Sequence, residues 1–477
     1  MIASRQPLLL IETPPSYANE RSYAVCTVFC EFLGMRVVLR QREDALHTRI
    51  TLCGDDSRRE LAIPEALFAT CRKDWLTTLS LPEEPLRWLP GAESGANPSL
   101  PMIYRHEPNR TTSEPAVAAY SGDCGSSATL PFDLLGSVFF ALTRYEEVCK
   151  STLRDWHGRF PARESLAYRE GFLGRPVVDE YVQLLWSVMK RLWPRLERAE
   201  TDYRVVPTHD VDVLSSAAGL PWRTVIRQAG GDVLRRRSAS SGLKRLRWRS
   251  TGSNAGDPVN NYDFIMDASD QFGLTSEFYF MTGDGRMPLD GAYSIESGLA
   301  LQTLRRIHER GHLVGLHTSY SAWNSAHQTR REFVKLMTVV DRLGIEQREW
   351  GGRQHYLRWT NPLTWRCWAE AGLKYDSSVS YADHAGFRCG TARSFPVFDL
   401  LRREQLALIE RPLIVMDGSL LDPLYMGLAR DQAAETVDRL ARQCRRVGGN
   451  MVLLWHNTSL GDSSSQQFYS SLLERIA

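Results

Sequence analysis

Asp210 and Asp212 stand two residues apart at the end of an apolar run, and His317, Arg353 and His456 each close another such run. If the chain stays extended through 208–212, the two carboxylates share a face. Two acids so placed do not both stay ionised cheaply unless a cation compensates them. A divalent metal held by one Asp together with His317 meets that need. The other Asp is then free to act as general base on a metal-polarised water. Arg353 is suited to hold that base ionised and oriented, and His456, across the mouth, to protonate a leaving group. Together these groups describe metal-assisted hydrolysis.

Such groups need a frame that gathers strand ends. From residue 203 onward the sequence becomes rhythmic. β-prone runs at 203–208, 276–281, 313–317, 349–353, 373–376, 406–410 and 451–456 are separated by helical stretches at 262–272, 295–310, 331–343, 363–371, 430–447 and 466–476. Gly273, Gly311, Gly344, Gly372 and Gly448 mark helix ends, where the left-handed conformation suits glycine. About seven strand–helix units in ~275 residues predict a parallel α/β sheet or an incomplete barrel. Reactive groups in such folds belong at the C-terminal strand ends. Eight of the eleven histidines lie in this half, and five of them sit just after a strand. Core histidines would be scattered along the elements instead. His312, at the start of a strand, falls at the opposite end and reads as structural.

At this point the residues carry a resemblance. The half from about residue 203 resembles the polysaccharide deacetylase (chitooligosaccharide deacetylase) homology domain of family-four carbohydrate esterases. Thr208-His209-Asp210-Val211-Asp212 is similar to an Asp-x-Asp form of its first motif. The resemblance makes Asp210 the base and Asp212 a metal ligand. Arg353-Gln354-His355-Tyr356 is similar to Arg-x-Pro-Tyr with His for Pro, and implies Tyr356 on the substrate. Leu454-Trp455-His456 is similar to Leu-x-His and makes His456 the acid. The second motif, His-Ser/Thr-x-x-His, departs here: His317-Thr318-Ser319-Tyr320-Ser321 ends in Ser, a poor zinc ligand. His209, His355, His384, Asn324 or a water is left to fill the third position, or the metal is bound weakly or not at all. The implied fold is a distorted (β/α)7 barrel.

Most of the chain also resembles bacterial polysaccharide-deacetylase-like proteins with a smaller α/β domain in front. The phrases that carry this include TRYEE (143–147), HGRFPARESLAYREGFLGRPVVDE (157–180), GLHTSYS (315–321), ADHAGFRCGT (382–391) and LLWHN (453–457). This implies a setting in cell-surface polysaccharide biosynthesis. Two domains are expected, 1–200 as the smaller α/β unit and 201–477 as the barrel. In the first, a strand at 8–11, small elements to residue 53, an irregular stretch over 81–127 and helices at 132–150 and 178–197 are expected. Asp155, His157 and Arg159 in the 154–161 segment compose either a polar site or a loop pinned by Trp156 and Phe160, and the loop is the simpler reading. Cys26 and Cys30, four apart, read as two small buried residues on a helix face. In the barrel half, residues 383–388 are expected to form a substrate-binding loop, with Arg388 contacting an anionic sugar or phosphate and His384 a candidate ligand.

Composition narrows the class. The 477 residues are 43% hydrophobic and 24% charged with a net charge of +2, which excludes a mainly disordered chain and gives no global reason to expect nucleic acid. No run approaches the ~20 apolar residues that span a bilayer. The apolar stretch at 8–11 is shorter than the ~7–15 residues of a signal-peptide core. The nine cysteines contain no Cys-x-x-Cys pair. A cytoplasmic address is therefore expected. The charge is uneven, however. Between 222 and 249 nine Lys and Arg oppose Asp232 alone, with Trp222, Ile226, Leu234 and Trp248 interspersed. This insert reads as a solvated lid or as a peripheral contact with the inner membrane face. The expected function is metal-dependent de-N-acetylation of a carbohydrate or glycan precursor, with zinc the first choice of metal. Hydrolysis of an O-ester and a metal-free carbohydrate-binding scaffold are the rivals.

Overall fold

Period-two burial builds the first strand, β1 (Leu8–Thr13): Leu9, Ile11 and Thr13 are buried and their neighbours are half-buried. β1 pairs in parallel with β2 (Arg36–Gln41) and antiparallel with β3 (Thr48–Leu52), which in turn pairs with β4 (Glu60–Ile63). β5 (Arg87–Leu89) and β6 (Leu100–Met102) form a separate pair, and β7 (Ser127–Thr129) lies beside β4, giving the sheet order β2-β1-β3-β4-β7. Among its described residues, the stretch expected to be irregular thus contains two short strands. The computed structural model describes residues 7–91, 99–105, 127–216, 222–234, 239–251, 257–283, 289–291 and 293–477. Cys26 and Cys30 lie in a π-helical turn, Cys26–Phe32, and are half-buried rather than buried.

The helix expected over 132–150 is two helices, Leu134–Leu142 and Tyr145–Cys149, broken at Arg144 with φ 52°. The cause is tertiary. The Arg144 guanidinium reaches Glu147, Glu146 and the Tyr381 hydroxyl, and it donates to the Arg388 carbonyl. These buried contacts hold a backbone conformation that costs a non-glycine residue about 1–3 kcal/mol.

Among its described residues the second half builds one nine-stranded sheet. Its strands are β8 (Arg204–Val211), β9 (Glu277–Met281), β10 (Leu313–Thr318), β11 (Gly351–Gln354), β12 (Tyr375–Asp376), β13 (Phe395–Asp399), β14 (Glu404–Glu410), β15 (Val415–Met416) and β16 (Asn450–Leu454). The order is β13-β14-β12-β11-β10-β9-β8-β16-β15, all parallel except β13 against β14. Among the described residues the end strands β13 and β15 do not pair with each other. Both are additional to the expected seven, β15 being two residues long and β13 carrying a proline, so neither shows a strand period. Helices such as Gly298–Glu309, Ala326–Leu343 and Arg430–Val447 alternate with the strands, and all five glycines expected at helix ends have φ between 61° and 94°. β10 and β11 approach closely because Gly352 has no side chain: a Cβ there would lie 1.8 Å from the Leu316 carbonyl oxygen.

The two halves share one hydrophobic core. Tyr23 and Phe139 of the first pack on Phe398 of the second at ring-centroid distances of 5.1 and 5.4 Å. The basic insert is a helical hairpin, Trp222–Leu234 against Ala239–Thr251, closed by Gly242 over Ala229 and by a small core of Val225, Leu246 and Trp248. Trp222, Ile226, Val233, Leu234 and Leu243 face outward. Arg235, Arg236 and Arg237 of that insert lie outside the described residues.

Candidate metal centre

Strand alternation sorts the 208–212 segment. His209 points into the core, where its Nδ1 donates to the Trp455 carbonyl at 2.7 Å and its ring lies 5.0 Å from that of Phe278. It is no ligand. Thr208 and Asp210 point the other way, toward Arg353, and Asp212 follows just past the strand end. Parallel pairing sets His317 level with Arg353, so β8, β10 and β11 deliver their polar ends to one place.

Asp212, His317 and His355 converge there. His317 Nε2 lies 3.1 Å and His355 Nε2 3.5 Å from the same oxygen, Asp212 Oδ1. The far nitrogens fix both tautomers. His317 Nδ1 sits 2.8 Å from the Arg353 carbonyl, which only accepts, so Nδ1 carries the proton. His355 Nδ1 faces Asp290 Oδ1 at 3.0 Å, and the same oxygen accepts the Tyr320 backbone N–H. Each ring thus turns its Nε2 inward, where a lone pair can meet a cation. Asp212 Oδ1 and His317 Nε2 are buried without a hydrogen-bond partner, and such orphans are costly unless something compensates them. Two imidazoles and a carboxylate, anchored through their outer atoms, suit a divalent cation of the zinc type. Among the described residues no other group of three such ligands comes together. Without a cation, protons take over its task. Burial opposes a charge on His317, but the Asp210 and Asp212 carboxylates outweigh it and raise the imidazole above its usual value. Burial likewise works against the Asp212 carboxylate, and the surrounding histidines, His317 first, hold it well below the usual range.

Asp210 stands beside this cluster. Arg353 is fully buried, and its Nη1 donates to Asp210 Oδ1 at 2.9 Å and to Thr208 Oγ1 at 3.0 Å. The remaining guanidinium edge is taken by the Ser377 carbonyl and hydroxyl. Asp210 Oδ2, 3.8 Å from His317 Nε2, is left facing the cluster. On the opposite side His456 Nδ1 lies 2.6 Å from Asp417 Oδ1, and His456 Nε2 lies 3.8 Å from Asp212 Oδ2. Burial disfavours charge on His456, but Asp417 more than offsets it, and the imidazole is pushed up to about 10.

The structure thus gathers Asp210, Asp212, His317, Arg353 and His456 in one cluster, with Tyr356 beside it, where its ring packs on His355 at 4.6 Å. His355 stands where the sequence left a third ligand place open, within reach of Asp212 and His317. Ser321, which stands where the motif has its second histidine, instead accepts a hydrogen bond from Gln328, and Asn324 is exposed. Two expectations are corrected. Arg388 does not bind substrate: it is buried, its Nε and Nη2 grip the Glu147 carboxylate at 2.9 and 2.6 Å, and its Nη1 donates to the Ser380 carbonyl. His384 packs against Tyr168, 5.3 Å between ring centroids, away from the cluster. Asp383 accepts from the Ala162 backbone N–H, so the 383–388 loop fastens the two halves together. The charge run of TRYEE serves the same latch through Arg144, Glu146 and Glu147.

Asp290 and Asp417 were missed as site residues. Asp417 follows β15, whose two residues carry no period to mark it, and Asp290 lies in a stretch of Gly- and Pro-containing sequence with no periodicity to place it.

A family of unknown function (DUF7033) matches residues 9–194. No curated protein matches the chain. Among solved structures, it is similar to a protein from Mycobacterium smegmatis assigned as a polysaccharide deacetylase (17% identity, 58% of this chain and 85% of that one, TM-score 0.37). It is also similar to the allantoinase PuuE (13% identity, 57% and 83%, TM-score 0.34). A third is the BA3943 mutant, a CE4-family pseudoenzyme with restored activity (10% identity, 58% and 62%, TM-score 0.28).

Proposed function

We propose that this chain is a metal-dependent hydrolase that removes an acetyl or related acyl group from nitrogen on a carbohydrate or glycan precursor, in the setting of cell-surface polysaccharide biosynthesis. One observation carries the reading: two histidine Nε2 atoms meet at Asp212 Oδ1, 3.1 and 3.5 Å away, directly beside an Asp210 clamped by Arg353. The parallel sheet that presents these groups is read as a distorted relative of the (β/α)7 barrel.

A divalent cation held by Asp212, His317 and His355 would polarise the scissile carbonyl and acidify water. Asp210, with Oδ1 tied to Arg353, offers Oδ2 to take the proton of the attacking water. His456, kept protonated by Asp417, gives its Nε2 proton to the departing nitrogen, which otherwise leaves as a poor anion. Arg353 and Asp417 are the positioning residues of this pair.

The test is metal analysis of the purified full chain, paired with acetate release from N-acetylated oligosaccharides. Stoichiometric divalent metal, lost on Asp212→Ala together with turnover, is the expected result. Metal-free protein that stays inert with added zinc, manganese or cobalt, yet binds glycans, would mean a scaffold. Release from O-acetyl substrates alone would move the chemistry to esters.

We also propose that the 222–251 hairpin rests on an anionic membrane surface. Its outward Trp222, Ile226, Leu234 and Leu243 lie among Arg223, Arg227, Lys244 and Arg247, the pairing of apolar anchors and cations that such surfaces attract.

A further inference from the structure

The 154–161 loop of the N-terminal half, expected to be merely structural, lies against the candidate metal centre. Trp156 is 81% exposed there, an unusual place for so large a ring. It is not an isolated surface aromatic. Its ring packs on His157 at 3.4 Å between centroids, His157 on Tyr356 at 4.6 Å, and Tyr356 on the ligand His355 at 4.6 Å. Tyr320 closes the side, its hydroxyl 3.0 Å from His157 Nδ1 and its ring 5.4 Å from that of Tyr356. Aromatic rings therefore form a continuous stair from the metal ligands to solvent.

The stair is rigid at its outer step. Asp155 Oδ1 accepts from the backbone N–H groups of His157 and Arg159, and its Oδ2 from Arg159 Nε. Arg159 then crosses to the Tyr356 carbonyl and the Tyr425 hydroxyl. Arg358 donates to the His157 carbonyl while stacking 4.3 Å over Tyr320. A loop tied down by this many bonds, with its largest apolar side chain left bare, is preorganised for a partner rather than for its own folding.

We infer that Trp156 is the platform of an outer carbohydrate subsite, lent to the hydrolytic site by the N-terminal half. The apolar face of a sugar ring stacks on the indole while a neighbouring sugar presents its acyl group at Asp212 and Asp210. The substrate class is therefore an oligosaccharide or a glycan of several rings rather than a single sugar. The inference rests on the hydrolase reading for the inner end of the chain, but the platform itself needs only carbohydrate binding.

The experiment uses the full chain and N-acetylglucosamine oligomers of one to five units, with calorimetric binding measured beside acetate release. The expected result is affinity and kcat/KM that rise with chain length. In Trp156→Ala the gain from length is lost, costing roughly tenfold in KM on the pentamer, while Trp156→Tyr recovers most of it. The melting temperature should not move, because the side chain is exposed. Equal loss at every length, or no change with Trp156→Ala, overturns the platform and leaves the hydrolase standing. Trp156-dependent binding without acetate release supports the platform and removes the hydrolase. Absence of binding at any length overturns the platform.

Discussion

Asp290 Oδ1 lies 3.0 Å from His355 Nδ1 and thereby turns His355 Nε2 toward Asp212. The candidate for the third ligand place is thus a strand-end histidine steered by the Asp290 carboxylate, in a chain whose second motif ends in Ser321. His355→Ala should lower divalent-metal affinity by about two orders of magnitude, and Asp290→Asn by about ten- to a hundredfold. Ser321→Ala should leave the metal bound. Equilibrium titration against a chromogenic chelator measures all three. Equal loss in the Ser321 variant would reassign the ligand.

Asp210 and Asp212 differ in partner and so in expected phenotype. Asp210→Asn should retain metal while losing turnover by a factor of at least ~10², because the amide cannot take the proton of water. Asp212→Ala should lose both. Metal content and acetate release, measured on the same preparations, separate the two roles.

Arg353 is buried against Asp210, so removing its charge should harm stability as well as activity. Arg353→Met leaves an uncompensated buried carboxylate, at a cost of about 3–5 kcal/mol. Urea denaturation reads the loss, and a variant as stable as the parent would contradict the geometry.

The Glu147–Arg388–Arg144 latch predicts acid sensitivity away from the site. Burial by itself raises the Glu147 carboxyl, but the Arg388 and Arg144 guanidiniums outweigh it and hold it at about 2, below its ordinary 4.5. A carboxyl depressed on folding contributes its stability above the unfolded value. That contribution shrinks as pH falls from about 4.5 and is gone below about 2, amounting to about 3 kcal/mol. Glu147→Gln should be less stable at pH 7, and its unfolding free energy should fall less steeply than the parent's below pH 4.5. Parallel pH profiles would remove the latch from the account.

The hairpin proposal is tested by liposome flotation. Vesicles with anionic lipid at low salt should carry the full chain upward, neutral vesicles should not, and Trp222→Ser with Leu243→Ser should weaken the effect severalfold. Equal behaviour with and without residues 222–251 would return the hairpin to a solvated lid.

Much of this protein is legible in its residues. Local rules sufficed for the alternation of strands and glycine-ended helices after residue 203, for the placement of Asp210, Asp212, His317, Arg353 and His456 at strand ends, and for the uneven charge of the insert. Hydrophobic period, helix-stop chemistry and the side-chain alternation of a strand all act within a few residues. Only the tertiary structure decided the rest. It set His355, and not His209, His384 or Asn324, beside Asp212 and His317, committed Arg388 to Glu147, broke a helix at Arg144, and brought Trp156 and His157 against a cluster built more than 50 residues later. Each of those outcomes turns on which buried charge or lone pair finds a partner from a distant element. That pairing is settled by the cost of leaving it unmet in the folded interior, not by any pattern along the chain.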